Sequence, residues 1–374
     1  MSEWKKVRLG EIANYVNEKI DIKAFDTSLY ISTDSMLKDK GGIGTPESIP
    51  ESGKVTKYQH NDILVSNIRP YFKKIWFSNR EGGCSNDVLV FRANDNIDST
   101  FLYYVLSDDS FFDHIMSSAN GTKMPRGNRK LIPSFEINLP PLSTQHRIAT
   151  ILSRYDSLIE NYQKQIKLLE EAAQRLYKEW FVDLRFPGHE NTKIVDGVPE
   201  GWEKMKVGEL IAKVPRSKQI PTKDYQKKGV IPIIDQSRDY IAGYTDDIES
   251  RVESNEPYIV FGDHTRILKY VPFPFAKGAD GTQLIMSNNL DLMPQCLLFT
   301  SLVSVDLSNY SYARHFKYLK EEEILVPTAS IANAFSKHVA KWYAKIQLNR
   351  EQLRILTEAR DRLLPKLMNG EIAV

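Results

Sequence analysis

The sequence repeats one stretch, WKKVRLGEI at residues 4–12, as WEKMKVGEL at residues 202–210, an offset of 198. A second match closes each copy, because INLP at residues 137–140 returns as ILVP at residues 324–327, an offset of 187. Self-similarity over such a distance indicates two copies of one structural unit. The 374 residues suffice for two cores of ordinary size, since one domain holds ~100–200 residues.

Each copy ends in a long amphipathic segment whose apolar residues are spaced alternately four and three apart. This 3.5-residue period is that of a coiled coil. Adding 187 to each position recovers the seam in the second copy, with Asn349 and Arg360 as polar interruptions. We expect the helices to pair antiparallel as a rod ~50 Å long, with the globular domains at opposite ends. The seams are Ile148, Leu152, Tyr155, Ile159, Tyr162, Ile166, Leu169, Ala173, Leu176 and Trp180, and Phe335, Val339, Trp342, Ile346, Asn349, Leu353, Leu356, Arg360, Leu363 and Leu367.

The predicted organisation is therefore globular domain, helix, globular domain, helix, with a pseudo-twofold internal repeat. Short apolar runs predict strands at 62–66, 87–91, 258–261 and 283–286, and helices are predicted near 100–106 and 109–117. The expected fold class is mixed α/β. The predicted boundaries are 1–142 for the first domain, 143–184 for its helix, 185–201 for a linker, 202–327 for the second domain, 328–368 for its helix and 369–374 for a tail.

Composition narrows the function classes. The net charge is only +2, so any surface for nucleic acid must be local rather than spread over the whole protein. Cys84 and Cys296 lie outside any CxxC pattern, which favours a reducing, cytoplasmic location. The charge-free apolar run 292–305 is shorter than the ~20 residues that a membrane span needs, so no membrane association is expected.

Basic residues cluster locally in four stretches without acids, two in each copy, and aromatic residues lie between the basic ones in the upstream stretch of each copy. Such segments suit phosphate neutralisation and contacts to base edges, although a single charge run is usually just a solvated face. Their occurrence in similar places of both copies favours DNA binding. The residues predicted to contact DNA are Arg69, Lys73, Lys74, Lys123, Arg126, Asn128, Arg129 and Lys130 in the first copy, and His264, Arg266, Lys269, Arg314, His315 and Lys317 in the second.

Catalytic motifs are missing from the sequence. It contains no GxxxxGK[ST] loop, no GxGxxG, no HExxH, no Cys/His metal spacing and no Asp/Asn-Pro-Pro-aromatic stretch. We therefore predict no catalytic residue, no metal site and no cofactor in this chain. Two alternatives stay open from the residues alone: a self-contained restriction or methylation enzyme, and a DNA-binding scaffold without sequence preference.

The chain resembles the DNA-specificity subunit of type I restriction-modification enzymes over both halves. The resemblance rests on the two domain starts and on three further stretches: LPPLSTQHRIA at 139–149, LYKEWFVD at 176–183 and LLPKLMNGEI at 363–372. One stretch departs from the pattern, since VPTASIA at 326–332 lacks the Pro-Pro and the Gln-x-x-Ile of the first helix start.

The resemblance implies two target-recognition domains, each reading one half of a bipartite, asymmetric sequence in double-stranded DNA. It also implies that the exposed faces of helices 143–184 and 328–368 dock two methyltransferase subunits while the helices fix the spacer. A restriction and translocation subunit would complete the complex. S-adenosylmethionine, ATP and magnesium would belong to these partners.

Overall fold

The computed structural model describes residues 4–121, 123–310 and 314–374, and the chain divides into two compact units. The first unit comprises Met1–Glu160 together with Arg354–Val374, and the second comprises Asn161–Leu353. Both units mix helices with small, mostly antiparallel sheets, which confirms the α/β class. The unit boundaries fall within the two long helices, so each helix contributes to both units.

The first unit is built on three antiparallel sheets. Its strands are β1 (Lys5–Arg8), β2 (Ala13–Tyr15), β3 (Lys19–Asp21), β4 (Lys54–Tyr58), β5 (Ile63–Ser66), β6 (Ile75–Phe77), β7 (Gly82–Cys84), β8 (Val88–Ala93) and β9 (Glu136–Leu139). Its helices are α1 (Leu9–Ile12), α2 (Ser99–Ser107), α3 (Asp109–Ser117) and α4 (Leu142–Tyr177), the last continuing as a π-helical turn, Lys178–Val182. The sheets are β1-β9, β2-β8-β5-β6 and β3-β4-β7. Strand β5 is buried on both faces, as its unbroken apolar run predicts.

The second unit has the same core elements with a different extra sheet. Its strands are β10 (Ile194–Val195), β11 (Val198–Pro199), β12 (Glu203–Lys206), β13 (Ile231–Ile234), β14 (Gly243–Thr245), β15 (Arg251–Val252), β16 (Tyr258–Gly262), β17 (Leu268–Val271), β18 (Phe275–Lys277), β19 (Thr282–Ile285) and β20 (Glu323–Val326). Its helices are α5 (Val207–Leu210), α6 (Gln295–Val303), α7 (His315–Glu321) and α8 (Ala329–Met368). The sheets are β10-β11, β12-β20, β17-β16-β19 and β14-β13-β18-β15, in which β13 and β18 run parallel.

Strand pairing confirms the internal repeat at the level of single residues. In the first unit β1 pairs antiparallel with β9, and Lys5 lies opposite Leu139. In the second unit β12 pairs antiparallel with β20, and Glu203 lies opposite Val326. These partners are the ones that the offsets of 198 and 187 relate. All the strands and short helices predicted from the sequence are present, at most two residues from their expected positions.

The two seams are buried or half-buried at every position. In the first unit Ile148 and Leu152, early in α4, share a core with Leu364 and Leu367, late in α8. In the second unit the pairing is reversed, because late residues of α4, such as Ala173, share a core with early residues of α8. The helices are therefore antiparallel within each unit, as predicted.

The predicted linker 185–201 is packed onto the second unit rather than extended. Phe186 is buried, and its ring centroid lies 4.6 Å from that of Trp202. The hairpin β10-β11 occupies residues 194–199 of the remaining stretch. The three glycines of this region, Gly188, Gly197 and Gly201, have positive φ, and the buried Phe186 side chain anchors the region in the core.

Candidate nucleic-acid interface

In the first unit, folding brings together the two basic segments that are far apart in sequence. The loop after β5 and the loop before β9 form an isolated bridge between Ile68 and Arg126. The backbone N–H of Arg69 donates to the carbonyl oxygen of Pro125 at 2.8 Å, and that of Gly127 donates to Asn67 at 3.3 Å. The predicted residues of both loops therefore form one surface, which we call the first basic face (residues 67–74 and 123–130).

A segment between β7 and β8 supports the loop 123–130. The Arg126 guanidinium lies 3.2 Å from the Asp87 carboxylate, and Arg129 donates to the carbonyl oxygen of Asn86 at 3.1 Å. Asn128 accepts a hydrogen bond from the backbone N–H of Lys130 at 3.0 Å, which shapes the turn. Both arginines remain exposed, so their remaining donors point to solvent.

The loop 67–74 contains unusual backbone conformations and unpaired polar atoms. Arg69 and Lys73 adopt left-handed conformations, with φ of 49° and 48°. The side-chain oxygen of Asn67 and Nε of Arg69 are buried without a hydrogen-bond partner among the described residues. Unpaired buried polar atoms and left-handed non-glycine residues are costly, and such features concentrate at functional loops.

The lysines of this loop differ in their availability. Lys74 donates to the carbonyl oxygen of Thr33 at 2.6 Å, and burial lowers its pKa against the opposing effect of Asp34. Lys73 forms an ion pair with Asp109 at 2.7 Å, with its side chain 30% exposed. Lys123 and Lys130 are exposed.

The second unit also joins its two basic segments, through the turn between β16 and β17. The Asp263 carbonyl oxygen accepts from the backbone N–H of His315 at 2.9 Å, and its carboxylate accepts from that of Phe316 at 2.8 Å. Arg266 donates to the carbonyl oxygen of Leu307 at 3.0 Å. The exposed basic residues of these segments are His264, Arg266, Arg314 and Lys317. We call the surface that they form the second basic face. Residues 311–313, part of the acid-free segment, lie outside the described residues.

Residues 1–171 match the family model for the type I restriction modification DNA specificity domain. This match covers just under half of the chain, and curated relatives of the chain are specificity subunits of type I restriction enzymes. It is 28% identical to the specificity subunit of type I restriction enzyme MjaIX from Methanocaldococcus jannaschii, over 75% of this chain and 70% of that one. It is 24% identical to the HindI specificity subunit from Haemophilus influenzae, over 100% of both chains.

A solved structure shows the same fold. The S subunit of a type I restriction-modification system from M. genitalium superposes with a TM-score of 0.61 at 17% identity, over 98% of this chain and 96% of that one. The comparisons support the specificity-subunit interpretation over the alternative of a self-contained restriction or methylation enzyme.

The structure buries two of the residues predicted to contact DNA, Lys269 and His315, and so keeps them off the exposed second basic face. Lys269 is 5% exposed, and its Nζ lies 3.8 Å from the Asp235 carboxylate and donates to the carbonyl oxygen of Asp239. Burial lowers the pKa of Lys269, and the charge of Asp235 opposes this. His315 is 6% exposed, and its ring nitrogens each lie 2.9 Å from a carbonyl oxygen, of Asp263 and of Tyr310. Both side chains make polar contacts in the interior of the second unit.

The sequence analysis missed one polar residue that organises the second basic face. The Gln236 side chain accepts from the backbone N–H of His264 at 3.1 Å and donates to the carbonyl oxygen of Asp280 at 2.8 Å. Its own backbone carbonyl accepts from the Thr265 hydroxyl at 2.7 Å. No charge pattern marks Gln236, and the strand that precedes it, β13, was not among the strands predicted from the sequence.

No metal centre is formed by His, Cys, Asp or Glu groups in the described ranges 4–121, 123–310 and 314–374. Among the helices of those ranges, none is long and apolar enough to cross a membrane.

Proposed function

We propose that this chain is the non-catalytic subunit of a type I restriction-modification complex, and that it recognises the target sequence in double-stranded DNA. The first basic face would read one half of a bipartite, asymmetric site, and the second basic face would read the other half. One observation carries this proposal: each unit joins two sequence-distant basic loops into a single exposed surface on the same scaffold of strands. Arginines such as Arg126 and Arg314 are the residue type that recognises guanine edges and phosphates.

The long helices are proposed to set the spacer and to dock two methyltransferase subunits. Large apolar side chains lie exposed on them, notably Leu168 at 53% and Ile355 at 44%. These two residues are related by the repeat offset of 187, so each repeat presents an apolar residue at the same place. Exposed apolar groups on a helix mark protein contacts when they form a patch. Leu158 and Leu348 extend the exposed apolar set.

Catalysis would belong to the partners. S-adenosylmethionine would be used by the methyltransferase subunits, and ATP and magnesium by a restriction and translocation subunit. This chain would supply orientation and sequence choice, and its place of action would be the cytoplasm, where the DNA lies.

Mapping of methylated adenines in host DNA tests the proposal. With the gene and its methyltransferase partner present, methylation is expected at one bipartite motif, and deletion of this gene should abolish it. As a second arm, the purified chain alone is incubated with DNA, S-adenosylmethionine and magnesium, and no methylation or cleavage is expected. Methylation at dispersed sites, or catalysis by the chain alone, would contradict the proposal.

A further inference from the structure

The first unit carries a basic turn outside the segments that the sequence analysis selected. The turn Leu37–Gly42 is closed by a bridge between Met36 and Ile43 and by the Leu37 N–H donating to Gly42 at 2.9 Å. It presents Lys38 and Lys40 around Asp39. Because this acid interrupts the run, a search for acid-free basic stretches passes over it.

The turn is joined to the first basic face by main-chain hydrogen bonds. The N–H of Asp39 donates to Phe72 at 2.9 Å, and the N–H of Lys40 donates to Lys73 at 3.0 Å. The Lys38 ammonium lies 4.4 Å from the centroid of the Phe72 ring, within range of a cation–π contact. The turn 37–42 and the loops 67–74 and 123–130 therefore form one continuous surface.

Left-handed backbone is concentrated at this junction. Of the eight non-glycine residues with positive φ in the described part of the chain, four are here: Asp39, Lys40, Arg69 and Lys73. Each such conformation costs energy and persists only when surrounding contacts fix it. The junction is therefore a fixed arrangement, and the positions of its lysines are defined.

One carboxylate binds the two lysines at the centre of this junction. Oδ1 of Asp109 lies 3.2 Å from Nζ of Lys40, and Oδ2 lies 2.7 Å from Nζ of Lys73. Burial acts to raise the pKa of Asp109, but the hydrogen bonds and charges of Lys73 and Lys40 outweigh it and lower the pKa. The Asp109 side chain is 61% exposed, and those of Lys40 and Lys73 are 17% and 30% exposed, so a competing anion can approach this contact from solvent.

We propose that the turn 37–42 is a third DNA-contacting element of the first unit, and that Asp109 restrains it by occupying Lys40 and Lys73 until a DNA phosphate replaces the carboxylate. The inference rests on the proposed function and adds to it a residue that sets affinity. A carboxylate held between two lysines presents two anionic oxygens, as a backbone phosphate does. The exchange keeps both lysines paired, so binding need not leave either charge without a partner.

The proposal predicts opposite effects from the two sides of this contact. Asp109→Asn removes the competitor, and two partly exposed ion pairs of ordinary strength correspond to roughly 2- to 30-fold tighter DNA binding. The number of phosphate contacts is unchanged, so the slope of log affinity against log salt should stay the same. Replacing Lys40 and Lys73 with Ala loses two contacts, which should make that slope shallower by about 1.8.

The experiment measures anisotropy of a labelled duplex of about 40 base pairs and arbitrary sequence, between about 50 and 200 mM KCl, with the full chain bound to its methyltransferase subunits. The matched control is Asp113→Asn, which removes the same charge from an exposed position one turn further along α3. Asp109→Asn is also tested in the Lys40→Ala/Lys73→Ala background, where it should have no effect. Circular dichroism of each variant checks that the fold is retained.

Three results would overturn the inference: affinity of Asp109→Asn equal to or below wild type, an equal gain from Asp113→Asn, or an undiminished effect of Asp109→Asn without the two lysines. Arg126→Ala/Arg129→Ala separates this from the proposed function. If that variant loses affinity while Asp109→Asn changes nothing, only the inference fails. If the wild-type complex shows no salt-dependent DNA binding, the proposed function itself fails.

Discussion

Replacing Arg360 with Met should destabilise the first unit, because it removes one partner from a polar contact within the helix seam. Nη1 of Arg360 donates to the Asp156 carboxylate at 2.8 Å, and Asp156 also accepts from the Tyr104 hydroxyl at 2.6 Å. Burial alone would lower the pKa of Arg360, but its hydrogen bond with Asp156 and the charge of that carboxylate raise it. The Asp156 carboxylate thus favours the charged form of the Arg360 guanidinium where α4 and α8 meet.

The expected size follows from burial. Removing one partner of a fully buried ion pair costs about 3–5 kcal/mol, since the other charge is left without compensation. The side chains of Arg360 and Asp156 are 17% and 31% exposed, so water reaches the carboxylate in the variant. The Tyr104 hydroxyl also remains as a donor. We therefore expect a loss of about 2–3 kcal/mol, with little lost packing because Met retains most of the apolar stem.

Hydrogen exchange followed by mass spectrometry measures this loss in the right place. Peptides covering residues 148–160 of α4 report the opening free energy of the first unit. The matched control is Arg362→Met, two residues along the same helix, where the side chain is 71% exposed and pairs with Glu358. That control should cost less than about 1 kcal/mol. The double variant Asp156→Leu/Arg360→Met, which replaces both charges with apolar groups, should recover most of the stability.

A result for Arg360→Met within the range of the Arg362→Met control would refute this reasoning. So would a double variant that is less stable than Arg360→Met, because the cost would then come from lost packing or lost attraction rather than from an uncompensated carboxylate.

Three further outcomes are expected. A seven-residue insertion within 158–169 and in its counterpart 345–356 adds ~10 Å of helix, so the spacer of the methylated motif should lengthen by about three base pairs. A spacer of unchanged length would show that the helices do not determine it. Arg126→Ala and Arg129→Ala should each weaken binding by ~1–3 kcal/mol and relax preference in one half-site if they reach base edges, whereas a uniform loss with a smaller salt slope would indicate phosphate contacts. Lys269→Met should lower the unfolding temperature and leave the DNA affinity of the folded complex unchanged, and a selective loss of affinity would return Lys269 to the interface.

Sequence periodicity was sufficient to predict the strands and helices of the scaffold, because the patterns that indicate them are local and occur in both copies. The offsets of 198 and 187 relate Lys5 to Glu203 and Leu139 to Val326, and in each copy the two residues lie opposite each other. The offset of 187 also relates the two helix seams. The polar interruptions at Asn349 and Arg360 also have partners, since Asn349 donates to Gln165 at 3.2 Å within the second unit. A heptad pattern predicts which side of a helix is buried. It does not predict which polar residue on the other helix pairs with a polar residue in the seam.

The interface was less predictable because accessibility depends on residues that are distant in sequence. Lys269 lies in a basic run of the sequence, yet Asp235 and Asp239, in the loop after β13, bind its ammonium group. His315 likewise lies in a basic segment, but the turn at Asp263 covers it. The turn 37–42 was not selected from the sequence because Asp39 interrupts the basic run, although main-chain hydrogen bonds join this turn to the first basic face.

The division of the first unit into two distant pieces has a consequence for biosynthesis. Residues 161–353 are continuous, so the second unit has all its parts as soon as residue 353 has left the ribosome. The first unit is translated earlier but is complete only when Leu364 and Leu367 arrive to cover Ile148 and Leu152. Until then these apolar side chains are exposed on a nascent chain, where chaperones and aggregation compete for them. A chain that ends after residue 353 but before Leu364 would therefore have a complete second unit and a first unit whose apolar core is still uncovered.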